Sequence, residues 1–255
     1  MLQNNKQEEY RMDHAEYRRL VPGADTAVLC IHGIVGTPNH FRQFLPLIPG
    51  SVSVINLLLD GHGKGVRDFS RTSMAKWEAQ VDSAVDELLA SHGKVYILAH
   101  SLGTLLAIEQ AAKKPVDGLF LLAVPIKLFI KPRVFSTVWK VYSGRIRSDD
   151  LPGKAAYDCC GVKISRNLLL YLGWIPRFWE LLCKIQKTHK LLPLLHTHCA
   201  AYQSRDDELV SVGSVGYLEK QSGMQVFLLE NSSHYYYEAN DLTFLTQAFT
   251  EFIRR

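Results

Sequence analysis

Six short apolar runs recur along the chain, separated by segments with a different rhythm. Residues 26–31, 51–57, 94–99, 117–124, 198–203 and 225–229 carry apolar and β-branched residues without strict alternation. That is the pattern of strands buried on both faces. Between them the period lengthens. Residues 73–91 place Met74, Trp77, Val81, Val85 and Leu88 on one helical face, with Lys76, Glu78, Asp82 and Glu87 off it. Residues 102–112 read as a second helix. A closing helix, capped by Asn240, aligns Leu242, Leu245, Phe249 and Phe252. Shorter helices are predicted at 39–48, ended by Pro49-Gly50, and at 211–220. Residues 13–21 read as an edge strand behind a solvated tail, 1–12. Strands alternating with helices predict an α/β fold with a mostly parallel central sheet and helices on both faces.

The rhythm breaks after Pro125. For roughly seventy residues no buried strand is evident. Residues 131–142 carry Val134, Phe135, Val138, Trp139 and Val141 among basic residues, 144–161 read as loop, and 168–182 are rich in Leu, Trp, Tyr and Phe. Pro176 suits a first helical turn. Phe178, Leu181, Leu182 and Ile185 then share one face, with Lys184 and Lys187 on another. The expected organisation is one domain with its core in 13–125 and 194–255 and a helical cap inserted at 126–193.

Charge sharpens that boundary. The chain of 255 residues carries +4 overall, yet 127–192 holds thirteen Lys/Arg against four acids, a net +9 that leaves −5 for the rest. Two readings of the basic segment stay open. One is a solvated face. The other is peripheral contact with an anionic membrane, or steering of an anionic substrate. Composition otherwise excludes more than it assigns. The polar first twenty residues make no signal peptide, and the apolar runs at 119–130 and 168–175 are too short to span a bilayer. Five cysteines without metal-type spacing predict reduced thiols and a cytoplasmic location, with Cys30, Cys183 and Cys199 buried. No motif calls for a cofactor, a metal or nucleic acid. The glycine-rich stretch Asp60-Gly61-His62-Gly63-Lys64-Gly65 lacks phosphate-loop spacing and has no helix predicted directly after it.

The chemistry concentrates where strands end. The run 94–99 breaks at Ala99-His100-Ser101-Leu102-Gly103 and resumes as helix. A serine on a tight strand-to-helix turn has strained backbone angles and a hydroxyl raised above the sheet edge. Ala99 replaces the usual glycine two residues before the serine, but it is also small. The 198–203 strand ends near Asp206 and Asp207, and the 225–229 strand near His234. A serine hydroxyl needs a base to take its proton and a carboxylate to hold that base in one tautomer. Ser101, one of the two aspartates, and His234 supply that set in chain order. An oxyanion needs two backbone N–H donors. Leu102, at a helix N-terminus, and Ile34, in the loop His32-Gly33-Ile34-Val35-Gly36 after the first core strand, are the candidates. His100, His62 and His198 read as structural, and no H-E-x-x-H pattern suggests a metal.

These pieces, with Gly61-His62-Gly63, the Trp77 helix, Asp207-Glu208-Leu209-Val210 and Ser233-His234, resemble the α/β-hydrolase superfamily, in particular its bacterial carboxylesterase and monoacylglycerol-lipase group. The resemblance covers nearly the whole core. It implies Ser101 as nucleophile, His234 as base, Asp207 rather than Asp206 as the acid, and Ile34 and Leu102 as oxyanion donors. It implies a serine hydrolase cleaving carboxylic esters (acyl or aryl esters, monoacylglycerols) through an acyl-enzyme, with no cofactor. The expected partner is a small-molecule ester with an apolar acyl group, entering near Ile34 and Leu102. A thioesterase or peptidase would use the same triad. A non-catalytic binding protein of this fold would usually lack a triad member. A haloalkane dehalogenase would need Asp in place of Ser101.

Overall fold

The computed structural model describes residues 14–254. The expected tail at 1–12, and Asp13, lie outside them. Seven strands form the main sheet: β1 (Tyr17–Arg19), β2 (Thr26–Ile31), β3 (Ser53–Leu57), β5 (Lys94–His100), β6 (Gly118–Leu122), β8 (His198–Ser204) and β9 (Met224–Leu229), in the order β1-β3-β2-β5-β6-β8-β9. Only β1 runs antiparallel, pairing Arg18 with Ile55. The central strands β2, β5 and β6 are buried on both faces, which is why their sequences run apolar without alternating. One face packs against α2 (Met74–Leu89) and α3 (Leu102–Ala111), with Trp77, Val81, Leu105 and Ile108 in the core. The other packs against α8 (Ala239–Phe252), with Phe44, Phe120, Phe249 and Phe252 stacked edge to face. This is the α/β-hydrolase fold, with helices on both sides of a mostly parallel sheet.

Local departures from the sequence reading have local causes. The short helix expected at 39–48 is two 3₁₀ turns, Pro38–Phe41 and Leu45–Leu47; Pro46, interior to the expected span, has no N–H to continue an α-helical ladder. A helix does start directly after the glycine-rich stretch. It is α1 (Val66–Arg71), and Asp68 accepts the Gly65 N–H at 3.1 Å. Residues 64–65 form β4 (Lys64–Gly65) and pair with β7 (Val162–Lys163), stitching the glycine-rich loop to the inserted region. Residues 144–161 are not all loop: α5 (Leu151–Asp158) is capped by Asp150, which accepts from Gly153 N–H. The 211–220 segment holds a 3₁₀ turn and the short α7 (Val215–Leu218). The closing helix is capped by Glu238, which accepts the Asn240 N–H, and not by Asn240 itself. All five cysteines are free thiols, but Cys183 is exposed.

The inserted helical region also contains α4 (Arg133–Ser143) and α6 (Ile175–Leu191). Helix α6 lies on α3, the helix that begins at Ser101. Its contact is not purely apolar. Lys184, expected off the packed face, is 1% exposed. Its ammonium donates to Glu78 of α2 at 2.7 Å and to Glu109 of α3. A lysine is buried only when its charge is met, and two carboxylates from two core helices meet it here. Glu180 adds a second tie by accepting the Met74 N–H at 2.9 Å. Removing one partner of such a set strands the others. Lys184→Met is therefore expected to lower unfolding free energy in urea by about 2–4 kcal/mol, against less than about 0.5 kcal/mol for Lys187→Met one turn away on the exposed face.

Candidate active site

Strand β5 enters a turn one residue long. Ser101 has φ 52° and ψ −121°, a conformation that costs a non-glycine residue about 1–3 kcal/mol. Its backbone is held on both sides: its N–H donates to Leu122 O at 2.9 Å, and its carbonyl accepts from the Thr104 N–H and hydroxyl at 2.9 and 2.7 Å. The turn works because α3 passes directly over β2. A Cβ on Gly103 would overlap the Ile31 carbonyl, so glycine is required there. The serine caps α3, placing its side chain at the positive end of a ten-residue helix. Its hydroxyl makes no hydrogen bond among the described residues, and free enzymes often keep this group loosely held until substrate arrives.

His234 follows β9, and Asp207 follows β8. His234 Nδ1 lies 2.7 Å from Asp207 Oδ2. The other oxygen, Oδ1, accepts the Leu209 and Val210 N–H groups at 2.7 and 2.8 Å. Asp207 and His234 are each 2% exposed. Burial opposes the charge on Asp207, but His234 and the two amides outweigh it and hold the carboxyl below its ordinary pKa. Burial likewise opposes protonation of His234. The negative charges of Asp207 and Glu208 outweigh that too and raise its pKa above the ordinary 6.5. An ionised carboxylate only accepts, so Nδ1 carries the proton and Nε2 is left as the free base. Asp206, the rival carboxylate, instead sits half-exposed 3.9 Å from Lys131.

His100 and His40, by contrast, act as packing. The His100 ring donates through Nε2 to the His234 carbonyl at 2.9 Å, which brings the residue before Ser101 against the backbone of the base. His40 stacks on His100 at 3.7 Å and bonds the Tyr237 hydroxyl at 3.1 Å. Desolvation depresses both, His40 to about 3, so neither ring carries charge near neutrality. His62 is buried against Phe69 and Trp77. His198 stacks on Phe252.

The loop after β2 supplies the facing wall. His32 donates to Gly33 O at 2.9 Å and accepts the Leu59 N–H at 3.1 Å, fixing where the loop leaves the strand. A Cβ on Gly33 would stand 2.9 Å from the Ser101 Cβ, so only glycine lets this backbone approach the serine. The turn closes with Gly36 N–H on Gly33 O at 3.0 Å and leaves Val35 at φ 57°, a strained angle for a β-branched residue. Ile34 occupies the turn's second position. The Leu102 N–H is the first of its helix and has no intrahelical acceptor. Strain thus collects at Val35 and Ser101, at the carboxyl ends of neighbouring strands, where open α/β sheets place their ligands.

Beside this edge lies a cavity of about 370 Å³, walled by Ile34, Val35, Val134, Val138, Trp174 and Tyr235 among others. Helix α4 gives it one face at helical spacing (Val134, Thr137, Val138, Val141). The sequence predicts entry near Ile34 and Leu102: Ile34 lines the cavity, and Leu102 is buried in the core. Among the described residues lining it, Glu208 is the single charged one. Sequence reasoning missed Glu208, reading it only as part of the acid motif, and missed His40 as a support of His100. Neither position had a spacing signal; each acquires a role through contacts between distant segments. Among the described residues no cluster could hold a metal ion.

The chain resembles, at the level of fold, a structure from work on LipS and LipT, two metagenome-derived lipolytic enzymes (16% identity, TM-score 0.72, 95% of this chain and 98% of that one). It also resembles a monoacylglycerol lipase from Paleococcus ferrophilus (18% identity, TM-score 0.66, 94% and 97%). A thioesterase domain from the curacin biosynthetic pathway aligns comparably (16% identity, TM-score 0.62, 94% and 100%). Comparison with curated protein sequences gives no significant match. The family model for the alpha/beta hydrolase family matches residues 28–244, and the chain belongs to that family.

Proposed function

We propose that the protein is a serine carboxylic-ester hydrolase in which Ser101 is the nucleophile, His234 the base and Asp207 the acid that orients it. The observation that carries this reading is the buried Asp207–His234 pair, whose histidine carbonyl accepts from His100, the residue before a strained serine at a helix N-terminus. His234 Nε2 takes the Ser101 proton as Oγ attacks the ester carbonyl. The tetrahedral oxyanion is met by the Ile34 and Leu102 N–H groups and by the end of the α3 dipole. His234 returns the proton to the leaving alcohol, and water repeats the sequence on the acyl-enzyme. The apolar cavity suits an acyl or aryl acyl group, and 126–193 acts as the cap that selects it. A thioester would fit the same chemistry; the thioesterase domain of similar fold makes that the second reading.

Two features of the outer face support contact with an anionic bilayer. Phe135, Trp139, Leu169 and Trp179 are 63–74% exposed on elements that also wall the cavity. The same stretch carries the chain's net positive charge. An apolar rim set among cations fits a surface with anionic headgroups above acyl chains. Among the described residues no helix is long and apolar enough to cross a membrane.

A fluorophosphonate probe is expected to label the wild type and not Ser101→Ala, and p-nitrophenyl ester turnover is expected to fall by about 10⁴ in Asp207→Asn, which loses the tautomer control. Absence of labelling in folded wild type would refute the enzyme reading. Acyl thioesters turned over faster than matched esters would favour the second one. Because only neutral His234 accepts the proton, kcat/KM should fall as pH drops through a pKa above 6.5 and stay flat above it; a limb below that value would contradict the pairing. For the surface, sedimentation with vesicles should show tighter binding to phosphatidylglycerol-containing than to pure phosphatidylcholine vesicles at low salt. It should weaken in Phe135→Ser/Trp139→Ser. Equal binding to the two compositions counts against the bilayer.

A further inference from the structure

Glu208 is a charged side chain in a wall that is otherwise uncharged, and burial there is costly. Its side chain is 7% exposed. An ionised carboxylate is kept in such a place only where something meets it. Two contacts meet the carboxylate and a third holds the backbone of the same residue, and each leads to a different part of the molecule. Oε2 accepts the backbone N–H of His234 at 3.0 Å. The same oxygen lies 3.7 Å from the guanidinium of Arg133, the first residue of α4, whose side chain is 46% exposed. The Glu208 carbonyl accepts the Lys131 N–H at 2.9 Å.

The last contact belongs to a short antiparallel seam. Phe129 N–H donates to Leu209 O at 3.1 Å, Leu128 bridges Val210, and Ser211 N–H donates to Lys127 O at 2.9 Å. The segment leading into the inserted region is thus zipped to the acid loop, residue by residue, and Glu208 sits where the seam meets His234. We propose that Glu208 is a positioning residue for His234: it anchors the histidine backbone, sets a second negative charge behind the imidazole, and through Arg133 makes that charge depend on the seating of α4. The inference rests on His234 being the base.

The electrostatic part follows from which groups face His234. The acid loop contributes Asp207 and Glu208. Strand β5 contributes His100, and the Pro38–Phe41 turn contributes His40; burial keeps both neutral. Tyr235 and Tyr237 flank it on its own segment, with burial pushing both phenols up and away from ionisation. Arg133 approaches from α4, behind Glu208. The charge near the imidazolium is therefore set by two acids and one compensating cation. Glu208 favours the imidazolium, which is the form His234 takes once it holds the serine proton. Arg133 offsets part of that effect for as long as α4 is in place.

The two partners should then move His234 in opposite directions. The measurement is an NMR pH titration of the His234 imidazole in the wild-type protein, Glu208→Gln and Arg133→Met. Glu208→Gln keeps an acceptor for the His234 N–H but removes the charge, and is expected to lower the midpoint by roughly 0.5–1 pH unit. Arg133→Met removes the compensation from the half-exposed side and is expected to raise it by a smaller amount. The double variant should return toward wild type. A merely structural role would lower thermal stability without moving the two midpoints apart. Midpoints that stay together, or that shift in the same direction, overturn the proposal. If Glu208→Gln does not fold, Arg133→Met alone decides: no rise in its midpoint is a refutation. The titration needs no turnover, so an inactive wild type that still shows opposed shifts would sink the hydrolase reading, and with it the role of His234 as base, while the opposed shifts would still establish that Glu208 and Arg133 set the charge of His234.

Discussion

The structure depends on one close approach. Helix α3 crosses the end of β2 at a distance that only glycine at 103 permits, and this pins the chain on either side of Ser101. The serine's positive φ is the geometric consequence. A strained residue persists only when its surroundings over-determine it. Here they do so through Leu122 on the neighbouring strand and Thr104 in the first turn of the helix. The same approach brings Gly33 against the serine, so the loop after β2 and the N-terminus of α3 converge on one small volume. A bulkier residue at 33 or 103 would separate the elements that the site needs together.

Around that point the protein manages charge by burial. Asp207 and His234 are removed from water, yet each keeps partners that favour the charged form, and their pKa values move apart. His40 and His100 show the opposite outcome. They lie close by, without a carboxylate, and desolvation, reinforced by His234 and other cationic neighbours, keeps them neutral. Three imidazoles of the same intrinsic acidity thus end in different states because of what each one touches.

The inserted region is fastened at both ends by polar contacts. Its leading segment is zipped to the acid loop, and its last helix is held by Lys184 between Glu78 and Glu109. Between these ties, α4 and the turns before α6 offer apolar side chains both to the cavity and to the outside. Firm roots at both ends hold the apolar wall of α4 over the cavity.

Much of this was legible in the residues. Unbroken apolar runs marked the core strands, the small residues around Ser101 marked the tight turn, and the order serine, acid, histidine placed three groups at one sheet edge. These features depend on local backbone preference and on the period of burial, both of which a sequence carries directly. Less legible were short elements whose hydrogen bonds are supplied by one side chain, such as Asp68 for α1 and Asp150 for α5. Tertiary structure alone decided the choice of partners. Lys184 reads as a surface lysine by helical position, and Glu208 reads as one more acid in an acidic turn. Each is buried because groups more than twenty residues away, Glu78 and Glu109 for the first and His234 for the second, arrive to meet its charge. The sequence by itself determined the strands, the turn and the reactive residue types. Which charges could be taken out of water was left to packing, because the cost of burying a charge is set by its neighbours in space and not by its neighbours in the chain.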